Sequence, residues 1–294
     1  MMCAMPAPVA RPTLNTLADV AALESASRRT WTPCGDERML WHEWGRGPAV
    51  LLLHGGAGSW THWVRNVSAL VASGRRVLAP DMPGFGDSAA PPGGHDADAL
   101  PPWIERGMDT LAADEPFDLV GFSFGGLVAA LLAAGAPARV KRLVLVGAPA
   151  LTSELGPPLD LEPWSMLPVG PERDAAHRHN LAALMFADPA TADDLALHLQ
   201  MENVRRARLR AGTLPESDAL IAVLPRVRAR LFGIWGERDA FAGARVHDRE
   251  TVLRRIQPGL EFRVIPGAGH WTPYEAPEAV TAAMTGMLAA GAPE

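Results

Sequence analysis

The sequence predicts an α/β fold: a mostly parallel sheet with helices on both faces and a helical insertion between two of its strands. Three observations carry that expectation. From residue 37 onward, short apolar runs bounded by glycine and proline alternate with helical stretches of roughly 10–15 residues, as βαβ units require. A G-x-S-x-G pentapeptide at 121–125 stands between one such run and an apolar helix. From 150 to about 225, by contrast, no buried β-run occurs.

The elements follow in order. Residues 13–29 place Leu17, Val20, Ala21 and Leu23 at helical spacing. ERMLWHEW (37–44) alternates as an outer strand, and AVLLLHGG (49–56) is a buried strand ending in glycines. SWTHWVRNVSALVAS (59–73) reads as helix, RRVLAPD (75–81) as a second buried strand, and about 96–113 as another helix. FDLVGFS (117–123), the helix FGGLVAALLAAG (124–135) and the strand VKRLVLVGA (140–148) come next. In the insertion, Leu181, Leu184 and Met185 share a helical face, and Thr191 with Asp194 forms a capping-box-like start to a helix reaching about Leu209. ARLFGIWG (229–236) and LEFRVIPGAG (260–269) are the last strands, separated by the helical 245–256 and followed by a helix over about 274–290. The chain therefore divides into an N-terminal extension with a short helix (1–36), a core (37–149 and 226–294) and a helical cap (150–225).

Composition excludes several classes. The 294 residues are 48% hydrophobic and 20% charged, as expected of a globular chain rather than a disordered one. A net charge of −6 argues against a broad nucleic-acid-binding surface. The two cysteines, Cys3 and Cys34, form no C-x-x-C pair, which points to a reducing compartment. There is no secretory signal pattern and no apolar run of about 18 residues, so a cytoplasmic protein without a membrane span is expected. A small-molecule substrate is the expected partner; oligomeric state is left open.

The chemistry centres on Ser123. A serine with glycines two residues before and after it, between strand and helix, is a nucleophile elbow: small neighbours let strand and helix approach, and the helix N-terminus favours developing negative charge. A serine hydroxyl needs a base and an orienting acid. His270 stands just past the last strand and Asp239 just past the one before it, where doubly wound sheets build their sites. Glu237, two residues earlier, is the competing acid. HGGAGSW (54–60) follows a buried strand, so backbone N–H groups of Gly56 and Phe124 are the candidate oxyanion donors.

These segments, with DMPGFGDS (81–88), resemble the α/β-hydrolase superfamily over roughly 37–292, and 150–225 occupies the position of its cap. Within it the chain looks like the esterase, C–C-bond hydrolase and cofactor-free haloperoxidase group. The resemblance implies a Ser123–Asp239–His270 triad and no cofactor or metal. It implies hydrolysis of a small, largely apolar ester through an acyl-enzyme on Ser123. C–C cleavage of meta-cleavage-type diketones, perhydrolase or haloperoxidase activity, and a non-enzymatic ligand receptor are the alternatives. Haloalkane dehalogenases and related epoxide hydrolases carry aspartate where Ser123 stands, and the latter use cap tyrosines, whereas the single tyrosine, Tyr274, lies outside the cap. The C–C hydrolases usually have Asn before the nucleophile and Ser in the early glycine loop, where this chain has Phe122 and Gly56. It shares their Trp after the histidine (Trp271) and has cap arginines, Arg205 and Arg206.

Other residues read as structural. His54 ties down its loop, Asp81 forms a turn, His177 and His179 lack convincing metal co-ligands, and RRARLR (205–210) is a solvated helix face. Candidate pocket residues are Trp60, Phe122, Trp164, Met185, Phe186 and Trp271.

Overall fold

The computed structural model describes residues 14–113, 115–151, 159–209 and 212–289. The strands are β1 (Arg28–Cys34), β2 (Glu37–Trp44), β3 (Ala49–Leu53), β4 (Arg76–Pro80), β5 (Phe117–Phe122), β6 (Val140–Val146), β7 (Arg230–Gly236) and β8 (Glu261–Ile265). They form one eight-stranded sheet in the order β1-β2-β4-β3-β5-β6-β7-β8. Pairings within β1-β2-β4 are antiparallel and all others parallel. The helices are α1 (Leu17–Ser25), α2 (Val67–Ala72), α3 (Pro101–Ala112), α4 (Phe124–Gly135), α5 (Pro171–Met185), α6 (Asp194–Arg206), α7 (Ala219–Val223), α8 (Val246–Ile256), α9 (Thr272–Glu275) and α10 (Pro277–Ala289).

The apolar strand runs follow from burial on both faces. In β3, β6 and β7, Leu51, Leu53, Leu143, Leu145, Leu231 and Trp235 pack with the core on one face. The alternate residues Val50, Leu52, Val144, Val146, Phe232 and Ile234 pack on the other. The first core includes Leu127 of α4 and Leu253 of α8, and the second Val67 of α2 and Met284 of α10. Between β6 and β7 the described residues contain helices and single 3-10 turns but no strand. No helix among the described residues is long and apolar enough to cross a membrane.

Three local readings need correction. The sheet begins at Arg28, inside the stretch assigned to the N-terminal extension, because β1 pairs along β2 from Arg28–Glu43 to Cys34–Glu37. Its solvent-facing residues, exposed Trp31 among them, hide the alternation; only Thr32 and Cys34 are buried. A Thr16–Asp19 capping box starts α1, which stops at Ser25 rather than running to 29. In the insertion, Asp193 rather than Thr191 caps α6 by accepting from the Ala196 N–H, and the helix ends at Arg206.

One buried ionic cluster braces the sheet at the end remote from Ser123. Asp118, near the start of β5 and 3% exposed at its side chain, accepts from Arg75 and, at 2.9 Å, from Arg142. Removing a carboxylate from between two guanidinium groups only 13% and 14% exposed strands buried charge. Asp118→Ala should therefore lower the unfolding free energy in urea by about 3 kcal/mol. A loss below about 1 kcal/mol, the range of a surface pair, would contradict this role.

Candidate active site

The site is built where β3, β5, β7 and β8 end. Ser123 bridges β5 and α4 with φ 50° and ψ −123°, a left-handed conformation that costs a non-glycine residue about 1–3 kcal/mol. It is held there because the Ser123 N–H donates to the Val146 carbonyl and the Gly126 N–H to the Ser123 carbonyl, both at 2.8 Å. The flanking glycines are required by contact. A Cβ on Gly121 would lie 2.3 Å from the Gly125 carbonyl oxygen, and one on Gly125 would lie 2.3 Å from the His54 carbonyl oxygen.

The three residues singled out from sequence meet in one hydrogen-bonded line. His270 Nε2 lies 2.9 Å from Ser123 Oγ, and His270 Nδ1 lies 2.8 Å from Asp239 Oδ2. Asp239 Oδ1 accepts from the backbone N–H groups of Phe241 at 2.9 Å and Ala242 at 3.3 Å, which fixes the carboxylate. A carboxylate accepts, so Nδ1–H donates to Asp239 and Nε2 is left facing the Ser123 hydroxyl. Glu237 is turned elsewhere: its carboxylate accepts from the Gly267 N–H at 2.8 Å. The His270 ring sits between Phe122 and Phe241, with centroids at 5.1 and 4.5 Å.

Gly56 and Phe124 are adjacent, since a Cβ on Gly56 would come 3.6 Å from that of Phe124. Phe124 opens α4, so its N–H belongs to the helix turn that has no intrahelical acceptor. Two buried histidines shape the glycine loop. His54 Nδ1 donates to the Gly55 carbonyl at 2.7 Å and Nε2 accepts from the Met82 N–H at 2.9 Å. His62 Nδ1 accepts from the Gly55 N–H at 3.1 Å. Asp81 accepts from the N–H groups of Trp60 at 3.1 Å and Asp87 at 2.9 Å, consistent with a turn-former.

A cavity of about 370 Å³ opens beside this line, a size suited to a small ligand. Ser123, His270, Asp239, Gly56, Phe124 and Met185 line it. The other five pocket candidates do not, because each is spent on packing. Phe122 lies beneath His270 and Trp60 packs on Trp44 at 5.3 Å. Trp271 donates from its indole to the His62 carbonyl at 2.9 Å and stacks on Phe186 at 5.8 Å. Trp164 covers His177 at 4.4 Å. The walls come instead from residues that sequence reading missed, chiefly the loop 147–150 after β6, Trp235, Phe241, Ala242 and Arg249. For most of them the signal was position: the 147–150 loop, Trp235, Phe241 and Ala242 stand at or just after the ends of β6 and β7, whereas Arg249 lies inside α8. Glu275 was also missed. It accepts from the N–H groups of Ala187 at 2.9 Å and Gly269 at 2.5 Å, tying the insertion to the loop that carries His270.

Burial gives the molecule a pH signature. It holds His54 at about 4, and burial with the nearby Arg29 charge holds His42 at about 4, both below the ordinary 6.5; burial drives His62 down as well. The unfolded chain protonates these rings first, so their stabilising contribution is present above about 6.5 and is lost as pH falls through about 4. Asp81 opposes them. Burial raises it from 3.8 to about 6, so its contribution is complete below 3.8 and lost as pH rises through about 6. Three rings outweigh one carboxyl: the melting temperature should fall between about pH 7 and pH 5, and less steeply in His54→Gln. Equal slopes for the two proteins would contradict this assignment.

The comparisons with known proteins agree with this architecture. The α/β-hydrolase-fold family matches residues 48–225. The chain is 30% identical over 261 residues, covering 84% of it and 90% of the relative, to a 2-hydroxy-6-oxo-6-phenylhexa-2,4-dienoate hydrolase of Burkholderia cepacia. It is 33% identical over 259 residues, covering 80% and 84%, to a 2-hydroxymuconate semialdehyde hydrolase of a Pseudomonas species. A solved meta-cleavage product hydrolase from Pseudomonas fluorescens superposes with a TM-score of 0.73 at 24% identity, covering 88% of this chain and 97% of that one, a likeness of fold. With its strand order, its elbow at Ser123 and these relatives, the chain belongs to the α/β-hydrolase superfamily and is a hydrolase of that fold.

Proposed function

We propose that the protein is a serine-dependent hydrolase that cleaves the C–C bond beside a ketone in a 2-hydroxy-6-oxo-dienoate-type substrate. The observation that carries the chemistry is the Asp239–His270–Ser123 line, with links of 2.8 and 2.9 Å, opening into a cavity. The bond type is supported by relatives of about 30% identity over more than four-fifths of the chain, named for hydrolysis of such compounds.

Ser123 Oγ attacks the ketone carbon while His270 Nε2 takes its proton. Asp239 holds the imidazole tautomer and stabilises the imidazolium. The oxyanion forms against the N–H groups of Gly56 and Phe124, each worth about 10²–10³ in rate. The 2-hydroxydienoate must first tautomerise to its 2-oxo-3-ene form, which puts a saturated carbon beside the ketone. Collapse then breaks the C–C bond, its electron pair passes through the enone to the 2-oxo oxygen, and the resulting dienolate takes up the proton from His270. Water, deprotonated by His270, then attacks the acyl–Ser123 ester and releases the acid.

A simple-ester reading shares every step except the tautomerisation and the leaving group. It is favoured by Phe122, which is fully buried beneath His270 where the C–C hydrolases usually carry Asn, and by the glycine at position 56. The two separate by assaying a coloured dienol substrate beside p-nitrophenyl esters. The proposal expects the higher kcat/KM on the dienol. Ser123→Ala should lose about 10⁴-fold or more on either, and Asp239→Asn about 10⁴-fold. Dienol turnover far below ester turnover would leave the esterase reading, and unchanged activity in Ser123→Ala would overturn both.

A further inference from the structure

Resting on the serine-hydrolase reading, we infer that Glu275 is a positioning residue for the general base, fixing His270 through the backbone N–H of Gly269 and joining it to the insertion. Both chain neighbours of His270 direct their N–H groups this way. Gly269 donates to Glu275 Oε2 at 2.5 Å, and Trp271 donates to the Met185 carbonyl at 2.8 Å. Glu275 also accepts from the N–H groups of Ala187 and Asp188, both at 2.9 Å, just past the end of α5. One half-buried carboxylate therefore gathers three N–H donors from two segments remote in sequence.

The backbones meet here without a side chain between them. A Cβ on Gly269 would lie 2.6 Å from the Ala187 nitrogen and 2.8 Å from the Met185 carbonyl oxygen. On the opposite side, the Ala268 carbonyl accepts from the Arg238 N–H at 2.9 Å. A Cβ on Gly236, at the end of β7, would come 2.0 Å from the Gly269 carbonyl oxygen. The loop that carries His270 is thus gripped between the end of β7 and the insertion. A carboxylate suits the inner side of that grip, because its bonds to N–H groups are charge-assisted and both of its oxygens accept. An amide in its place would turn an NH₂ toward a backbone N–H.

The base tolerates little displacement. His270 must reach Ser123 Oγ and Asp239 Oδ2 together, at 2.9 and 2.8 Å, and a misplacement of about 1 Å can cost about 10²-fold in rate. The insertion is also held to the core at a second place, where Asp193 accepts from the Tyr274 hydroxyl at 2.8 Å and from Arg65 at 3.2 Å. That tie involves neither Gly269 nor His270, so breaking it separates loosening of the insertion from loosening of the base.

The experiment compares Glu275→Gln with Asp193→Ala on p-nitrophenyl acetate, whose acylation and deacylation both use His270. Glu275→Gln should lower kcat about tenfold to a hundredfold with KM within about threefold, while Asp193→Ala keeps kcat within about threefold. The downfield proton resonance of the His270 Nδ1–H, assigned by its loss in His270→Ala, should shift or broaden in Glu275→Gln and stay in place in Asp193→Ala. A kcat within about threefold of wild type in folded Glu275→Gln, an unmoved resonance, or equal changes in the two variants would overturn the inference and leave the serine hydrolase intact. Absence of wild-type turnover counts against the hydrolytic reading alone, and the resonance, which needs no substrate, then decides the role of Glu275. Should Glu275→Gln fail to fold, Glu275→Asp, which keeps both acceptor oxygens on a shorter reach, is read by the same two measurements.

Discussion

The close passage of strand into helix at Ser123 is the constraint on which the rest of the molecule turns. A left-handed serine backbone is maintained because the surrounding chain leaves it no alternative. β5 must deliver its last residue against β3 on one side and β6 on the other, and α4 must leave at once across Gly121, with no Cβ between them. That one turn aims the hydroxyl outward, opens α4 with a free first-turn N–H and brings the glycine loop after β3 alongside. His270 and Asp239 need only complete the line from neighbouring strand ends.

What was legible in the sequence follows from how local its physical cause was. The inner strands are buried on both faces, so β3 reads AVLLL with every residue buried. Ser123, Asp239 and His270, which meet in one hydrogen-bonded line, are marked in the sequence by residue type at strand ends. β1 lacks such a signal. One of its faces meets water, and its pattern depends on pairing with β2, which no window of local sequence contains. The cap of α6 was misplaced by two residues, because Thr191 and Asp193 are both good caps and only packing selects between them.

The cavity illustrates the same limit from the other direction. Among the aromatic residues expected as pocket walls, Trp271 and Phe186 instead stack on each other and pack with Tyr274, joining the insertion to the core. They serve the site indirectly, since the Trp271 N–H donates to the Met185 carbonyl at 2.8 Å beside the loop of His270. The surfaces that share the cavity with Ser123 include the backbone-rich turn after β6 and the Phe241–Ala242 corner, whose N–H groups also fix Asp239. Pocket shape and the orientation of Asp239 therefore share one loop.

The account stands most directly on where an oxyanion is held. A crystal structure of the protein after reaction with a fluorophosphonate should show phosphorus bonded to Ser123 Oγ. Its oxygen should lie about 2.7–3.1 Å from the backbone nitrogens of both Gly56 and Phe124, the range for oxyanion donors. Phosphorus on another residue, or an oxygen turned away from both nitrogens toward the insertion, would contradict the role of the Ser123 turn.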